Sequence, residues 1–123
     1  MALILVIDDD QALRRTMRRI LVDAGHAVID AEDGNVGMKR LHAEQPALVI
    51  TDILMPNKDG IETIREIRQL SPRTKIIATS GGGSSGGTMF LKAARVFGAD
   101  AILQKPFRAA DLLATVDRLL AAE

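Results

Sequence analysis

Apolar runs of strand length alternate along this chain with segments whose apolar residues recur three and four positions apart. The first run, Leu3-Ile4-Leu5-Val6-Ile7, is continuous rather than alternating, as in a strand covered on both faces. A helix is predicted over about 11–24, with Leu13, Met17, Ile20, Leu21 and Ala24 on one stripe. Asp10 can cap it and Gly25 can end it. A second strand is predicted over 26–31, and a second helix from Asp33 or Gly34 to about Ala43, with Val36, Met38 and Leu41 apolar. Pro46 precedes a third strand at 47–51, and the turn residues from Pro56 to Gly60 predict a loop. Ile61, Ile64, Ile67 and Leu70 mark a third helix, ended before Pro72. A fourth strand (75–79), a fourth helix (88–97, ended by Gly98), a short fifth strand (101–103) and a fifth helix (108–121) complete the pattern. Unbroken strand–helix alternation predicts an α/β fold, a five-stranded parallel sheet between two layers of helices.

Polar residues punctuate the strand ends. Asp8-Asp9-Asp10 follows the first strand, and Thr51-Asp52 closes the third ahead of Ile53-Leu54-Met55-Pro56-Asn57-Lys58-Asp59-Gly60. Thr79-Ser80-Gly81 closes the fourth, and Gln104-Lys105-Pro106-Phe107 follows the fifth. In a parallel sheet these carboxyl ends share one edge, the edge at which open α/β sheets bind ligands. Three carboxylates, a hydroxyl and one ammonium then meet in one crevice. Neighbouring like charges resist burial unless a cation or proton offsets them. The arrangement calls for a divalent metal, and the lysine calls for an anion beside it.

Composition narrows the function. The 16 basic and 16 acidic residues cancel, which argues against coating nucleic acid or an anionic membrane. The basic stretch Arg14-Arg15-Thr16-Met17-Arg18-Arg19 is expected to form a solvated helix face. With no cysteine there is no disulfide frame or thiol chemistry, which suits a reducing cytoplasm. No apolar stretch approaches the roughly 20 residues that span a bilayer. Without tryptophan or tyrosine, and with three phenylalanines, the chain offers few platforms for stacking bases.

The acidic pair after strand one, Asp52-x-x-Met55-Pro56 with Asp59-Gly60, Ser80 before a small residue, and Lys105-Pro106-Phe107 occur in that order on the right elements. Together they resemble the receiver domain of two-component response regulators, the family of the chemotaxis response regulator. The resemblance covers essentially the whole chain. It implies a doubly wound sheet of flavodoxin-like order 2-1-3-4-5. It implies that Asp52 accepts a phosphoryl group from a phosphohistidine on a partner histidine kinase or phosphotransfer protein. Mg²⁺ would be bound by Asp9 and Asp52 directly, by Asp8 through water, and by the Leu54 backbone carbonyl. Lys105 would pair with a phosphoryl oxygen, and Pro106 falls where the family has a cis peptide bond. Ser80 would donate its hydroxyl to the phosphoryl group. Strand parity is expected to favour Ser80, with Thr79 the alternative. The aromatic switch position is Ile102, which has no ring to rotate. A downstream protein is expected on the face formed by helix four, strand five and helix five.

Other readings are weaker. Asp8-x-Asp10 also fits the nucleophile motif of haloacid dehalogenase-type phosphatases, but that leaves the Asp52 loop unexplained. The stretch Gly81-Gly82-Gly83-Ser84-Ser85-Gly86-Gly87 lacks the lysine of a phosphate-binding P-loop and is expected to be a mobile loop able to close over a phosphate. Leu54 and Gly82 carry no side chain that can hold an attacking water, so slow self-dephosphorylation is expected. His26 and His42 lie outside the constellation. The chain is expected to be one receiver domain, 1–123, either a stand-alone protein or a part of a longer one.

Overall fold

The computed structural model describes residues 2–53, 60–81 and 92–122. Within them the chain runs β1 (Leu3–Ile7), α1 (Gln11–Asp23), β2 (Ala27–Ala31), α2 (Gly34–Glu44), β3 (Leu48–Asp52) and α3 (Gly60–Leu70). It continues through β4 (Lys75–Gly81), a helical segment α4 (92–97), β5 (Ala101–Lys105) and α5 (Ala109–Ala121). The strands form one parallel sheet in the order β2-β1-β3-β4-β5. The α/β class and the strand order are those expected.

The two-residue period of a strand divides the core in two. Leu5, Ile7, Val49, Ile76 and Ala78 pack with Met38 and Leu41 of α2, Ile64 and Ile67 of α3, and Ala94 of α4. Ile4, Val6, Leu48, Ile50, Ile77 and Ala101 pack with Met17 and Leu21 of α1 and with Leu112, Val116 and Leu119 of α5. Because both faces are covered, β3 is buried along its whole length. That explains why the strands read as continuous apolar runs.

Local signals set most helix ends. The Asp10 carboxylate accepts from the Leu13 N–H at 3.2 Å and caps α1. The Asp33 carboxylate accepts from the Val36 N–H at 2.9 Å, so α2 opens at Gly34. Gly25, at φ +96°, turns the chain out of α1. Two strands outrun the expectation. β4 and β5 continue past 79 and 103 to Gly81 and Lys105, in the pairs Ser80↔Gln104 and Gly81↔Lys105. A backbone ladder does not require apolar side chains, so hydrophobicity ended these strands too early.

At the edge away from the polar strand ends, Arg68 of α3 holds three segments together. Its guanidinium donates to the carbonyls of Pro72 (2.7 Å), Thr74 (3.1 Å) and Gly98 (2.7 Å), and to the Asp100 carboxylate (2.7 Å). Asp100 also accepts from the Ile76 N–H at 2.8 Å. The end of α3, the start of β4 and the approach to β5 are thereby fixed. Residues 54–59 and 82–91 carry Leu54, most of the expected Pro56–Gly60 loop, the remaining small residues after Gly81 and the expected start of α4. All of these lie outside the described residues.

Candidate functional site

The strand order creates the crevice. From β1 the chain crosses to β2 on one side and then returns to β3 on the other, so β1 and β3 are neighbours at the point where the winding reverses. The first residues past β1 and the last residue of β3 therefore share one rim.

Asp8 sits on that rim, fully buried. Its N–H donates to the Ala31 carbonyl at 3.1 Å. Its Oδ1 accepts from the Asp10 N–H at 2.9 Å, and its Oδ2 accepts from Lys105 Nζ at 2.8 Å. Asp9 is exposed beside it. Asp52 is buried, with Oδ2 3.4 Å from Lys105 Nζ and Oδ1 without a hydrogen-bond partner among the described residues. One carboxylate oxygen from each of Asp8, Asp9 and Asp52 lies within 4.8 Å of the others. An all-oxygen donor set, partly buried and with one carboxylate oxygen left over, fits a hard divalent cation such as Mg²⁺ that also keeps waters.

The electrostatics follow from the geometry. Burial raises the Asp52 carboxyl from 3.8 to about 6. Lys105 opposes that shift, while the charges of Asp8 and Asp9 add to it. For Lys105, burial alone would favour the neutral amine. The hydrogen bond to Asp8 and the charges of Asp52 and Asp8 outweigh it, and the net shift is upward.

Both candidate hydroxyls are buried at the end of β4, and neither finds a partner among the described residues. The pairing is Asp52↔Thr79 and Ser80↔Gln104. Paired residues of neighbouring strands point to the same side of a sheet. The register sets Thr79 opposite Asp52, with Ser80 the next residue along β4. Ser80 stands one residue closer to the rim. The Lys105–Pro106 bond is cis. Ile102, paired with Ala78 on β5, is 36% exposed. Leu54, expected to offer a carbonyl to the metal, lies outside the described residues. Asp10 caps α1, its Oδ1 accepting from the Leu13 N–H at 3.2 Å.

Two residues of the site escaped the sequence reading. Arg14 was expected on the solvated face of α1, where Arg15 and Arg19 indeed lie. Instead its guanidinium turns inward and donates to the Asp8 carbonyl at 2.6 Å. No spacing signal announces this, because the contact depends on how α1 packs. Gly60 read only as a turn residue. In the fold it opens α3 against the end of β3, with its N–H donating to the Ile53 carbonyl at 2.7 Å. A Cβ there would overlap the Asp52 carbonyl oxygen and the Ile53 Cα.

Comparison with known proteins decides the family. The model of the response regulator receiver domain matches residues 4–117. The chain belongs to the response regulator receiver family. The receiver is 35% identical over 117 residues to the response regulator MprA of Mycolicibacterium vanbaalenii, covering 95% of this chain and 49% of that protein. It thus spans about half the length of the curated relatives it matches. Among solved structures, the receiver domain of NtrX from Brucella abortus superposes with a TM-score of 0.91 at 30% identity, covering 98% of this chain and 99% of that one. A CheY-like response regulator receiver domain protein from Methanospirillum hungatei gives a TM-score of 0.85 at 31% identity, over 97% and 94%. The receiver is a signalling domain of two-component systems. Among its described residues no helix is long and apolar enough to cross a membrane.

Proposed function

We propose that Asp52 is the phosphoacceptor of this receiver. Its carboxylate attacks the phosphorus of a phosphohistidine on a partner histidine kinase or phosphotransfer protein. An O–P bond forms as the donor's P–N bond breaks, the imidazole leaves, and Asp52 becomes an acyl phosphate. Asp8, Asp9 and Asp52 would hold Mg²⁺, with the Leu54 carbonyl as a further ligand. Once bound, Mg²⁺ neutralises charge that builds on the transferring oxygens. Asp9 is free to bind directly. Both Asp8 oxygens already accept hydrogen bonds, which favours contact through water. Lys105 reaches the acceptor carboxylate and receives a phosphoryl oxygen as a point charge.

The observation that carries this reading is the meeting of three carboxylates with Lys105, 2.8 Å from Asp8 and 3.4 Å from Asp52. Ser80 supplies the hydroxyl that binds the modified acceptor, since its buried Oγ has no partner among the described residues and stands nearest the rim. The new phosphoryl charge, roughly −1.5 to −2, would draw Ser80 and Lys105 toward it and shift β4, β5 and the face they form with α4 and α5. A partner protein would read that face. Ile102, already half-exposed, can fill space but exposes no ring. The chain acts as a single receiver unit in the cytoplasm, without direct nucleic-acid contact, and with Leu54 and Gly82 favouring a long-lived phosphate.

Incubation with Mg²⁺ and a small acyl-phosphate donor tests this. Intact mass should rise by one phosphoryl group in the wild type and not in Asp52→Ala. Ser80→Ala should slow incorporation more than Thr79→Ala. Equal labelling of the Asp52→Ala variant would end the proposal.

A further inference from the structure

Arg14 is a surface-helix residue that spends its charge on the floor of the acidic site. Its side chain is only 15% exposed although it lies on the first turns of α1. The guanidinium donates to the Asp8 carbonyl at 2.6 Å, and its Nε is 3.6 Å from Asp30 at the end of β2. Asp30 in turn lies 3.9 Å from Arg18, which also donates to the Val28 carbonyl at 3.1 Å. Arg14 is therefore gripped from β2 while it grips β1.

The atom it holds matters. The Asp8 carbonyl belongs to the same peptide unit as the Asp9 N–H, and that planar unit sets the relative direction of the two acidic side chains. The peptide before it is fixed by the Asp8 N–H bond to Ala31, and the one after it by the Asp10 N–H bond to Asp8 Oδ1. Arg14 fixes the one between. A charge-assisted bond to a carbonyl is roughly twice as strong as a neutral one. The Asp8–Asp9 turn carries two of the three carboxylates of the cluster, and like charges push such a turn apart.

We propose that Arg14, oriented by Asp30, is a positioning residue for the metal-binding acids: it locks the Asp8–Asp9 peptide so that both carboxylates converge with Asp52. This rests on the reading of Asp8, Asp9 and Asp52 as a Mg²⁺ site. Arg14 acts on the acidic turn through the Asp8 backbone carbonyl. Groups that orient metal ligands typically change affinity by about 10- to 100-fold when removed.

The test is calorimetric titration of the purified chain with Mg²⁺ alone, alongside thermal unfolding without metal. Wild-type binding, and its loss in Asp9→Asn, establishes the underlying site independently of Arg14. Arg14→Met should weaken Mg²⁺ binding by about 10-fold. Asp30→Asn, which leaves the guanidinium on the Asp8 carbonyl but removes its anchor, should weaken it less. Arg14→Lys should restore part of the loss. If Arg14→Met is too unstable to titrate, Asp30→Asn and Arg14→Lys carry the comparison. Mg²⁺ affinity within twofold of wild type in every folded variant, whatever the change in melting temperature, would overturn the proposal and leave Arg14 a packing staple.

Discussion

At the scale of single residues, the buried charge of Asp52 opposes stability. Its carboxyl is raised from 3.8 to about 6, first by burial and then by its acidic neighbours, with Lys105 offsetting only part. Above pH 6 the folded and unfolded chains both carry the charge, and the folded state bears a penalty of up to about 3 kcal/mol. As pH falls through 6 the folded carboxyl binds its proton and the penalty shrinks. Below about pH 4 the unfolded chain is protonated too and the penalty is gone. Asp52→Asn should therefore stabilise the metal-free protein by up to about 3 kcal/mol at pH 8. The gain should fade as the pH approaches 4. Denaturant unfolding of both proteins across that range measures it, and a difference that stays flat with pH would refute the assignment.

At the scale of elements, the join between β3 and α3 is set by Gly60. The helix begins so close to β3 that a methyl group would strike the Asp52 carbonyl oxygen and the Ile53 Cα. Both obstacles are backbone, so no side chain can swing aside. Gly60→Ala should cost about 1–3 kcal/mol as overpacking. It should also slow phosphoryl incorporation, since the strand end that must shift carries Asp52, the proposed acceptor. Melting temperature and labelling rate, measured together, decide the point. Normal values for both would show that the contact relaxes freely.

At the scale of the whole molecule, the acidic cluster exists only when the sheet is assembled. Asp8 and Asp9 lie far from Asp52 along the chain and meet because β1 pairs with β3. The unfolded chain has no such cluster, so a divalent cation should bind the folded state alone. Mg²⁺ at about 100 times its dissociation constant should add about 2.7 kcal/mol of stability. A chelator should reverse the gain, and Asp9→Asn should remove most of it. A melting temperature indifferent to Mg²⁺ would count against the cluster as a metal site.

The strands, the alternation and the identity of the rim residues were legible in the sequence. Apolar runs, capping aspartates and terminating glycines are local signals, and local physics honours them. Asp8, Asp9, Asp52 and Lys105 could be named because residues at strand ends of a parallel sheet must share an edge. What the chain alone left open depends on atoms distant in sequence. The extension of β4 and β5 depends on backbone pairing. The hydroxyl opposite Asp52 depends on a register that hydrophobicity does not encode, the inward turn of Arg14 on the seat of α1 against β2, and the need for glycine at 60 on the approach of α3 to β3. Periodicity reports which face of an element is buried. Only packing decides which neighbour each face meets, and at what distance.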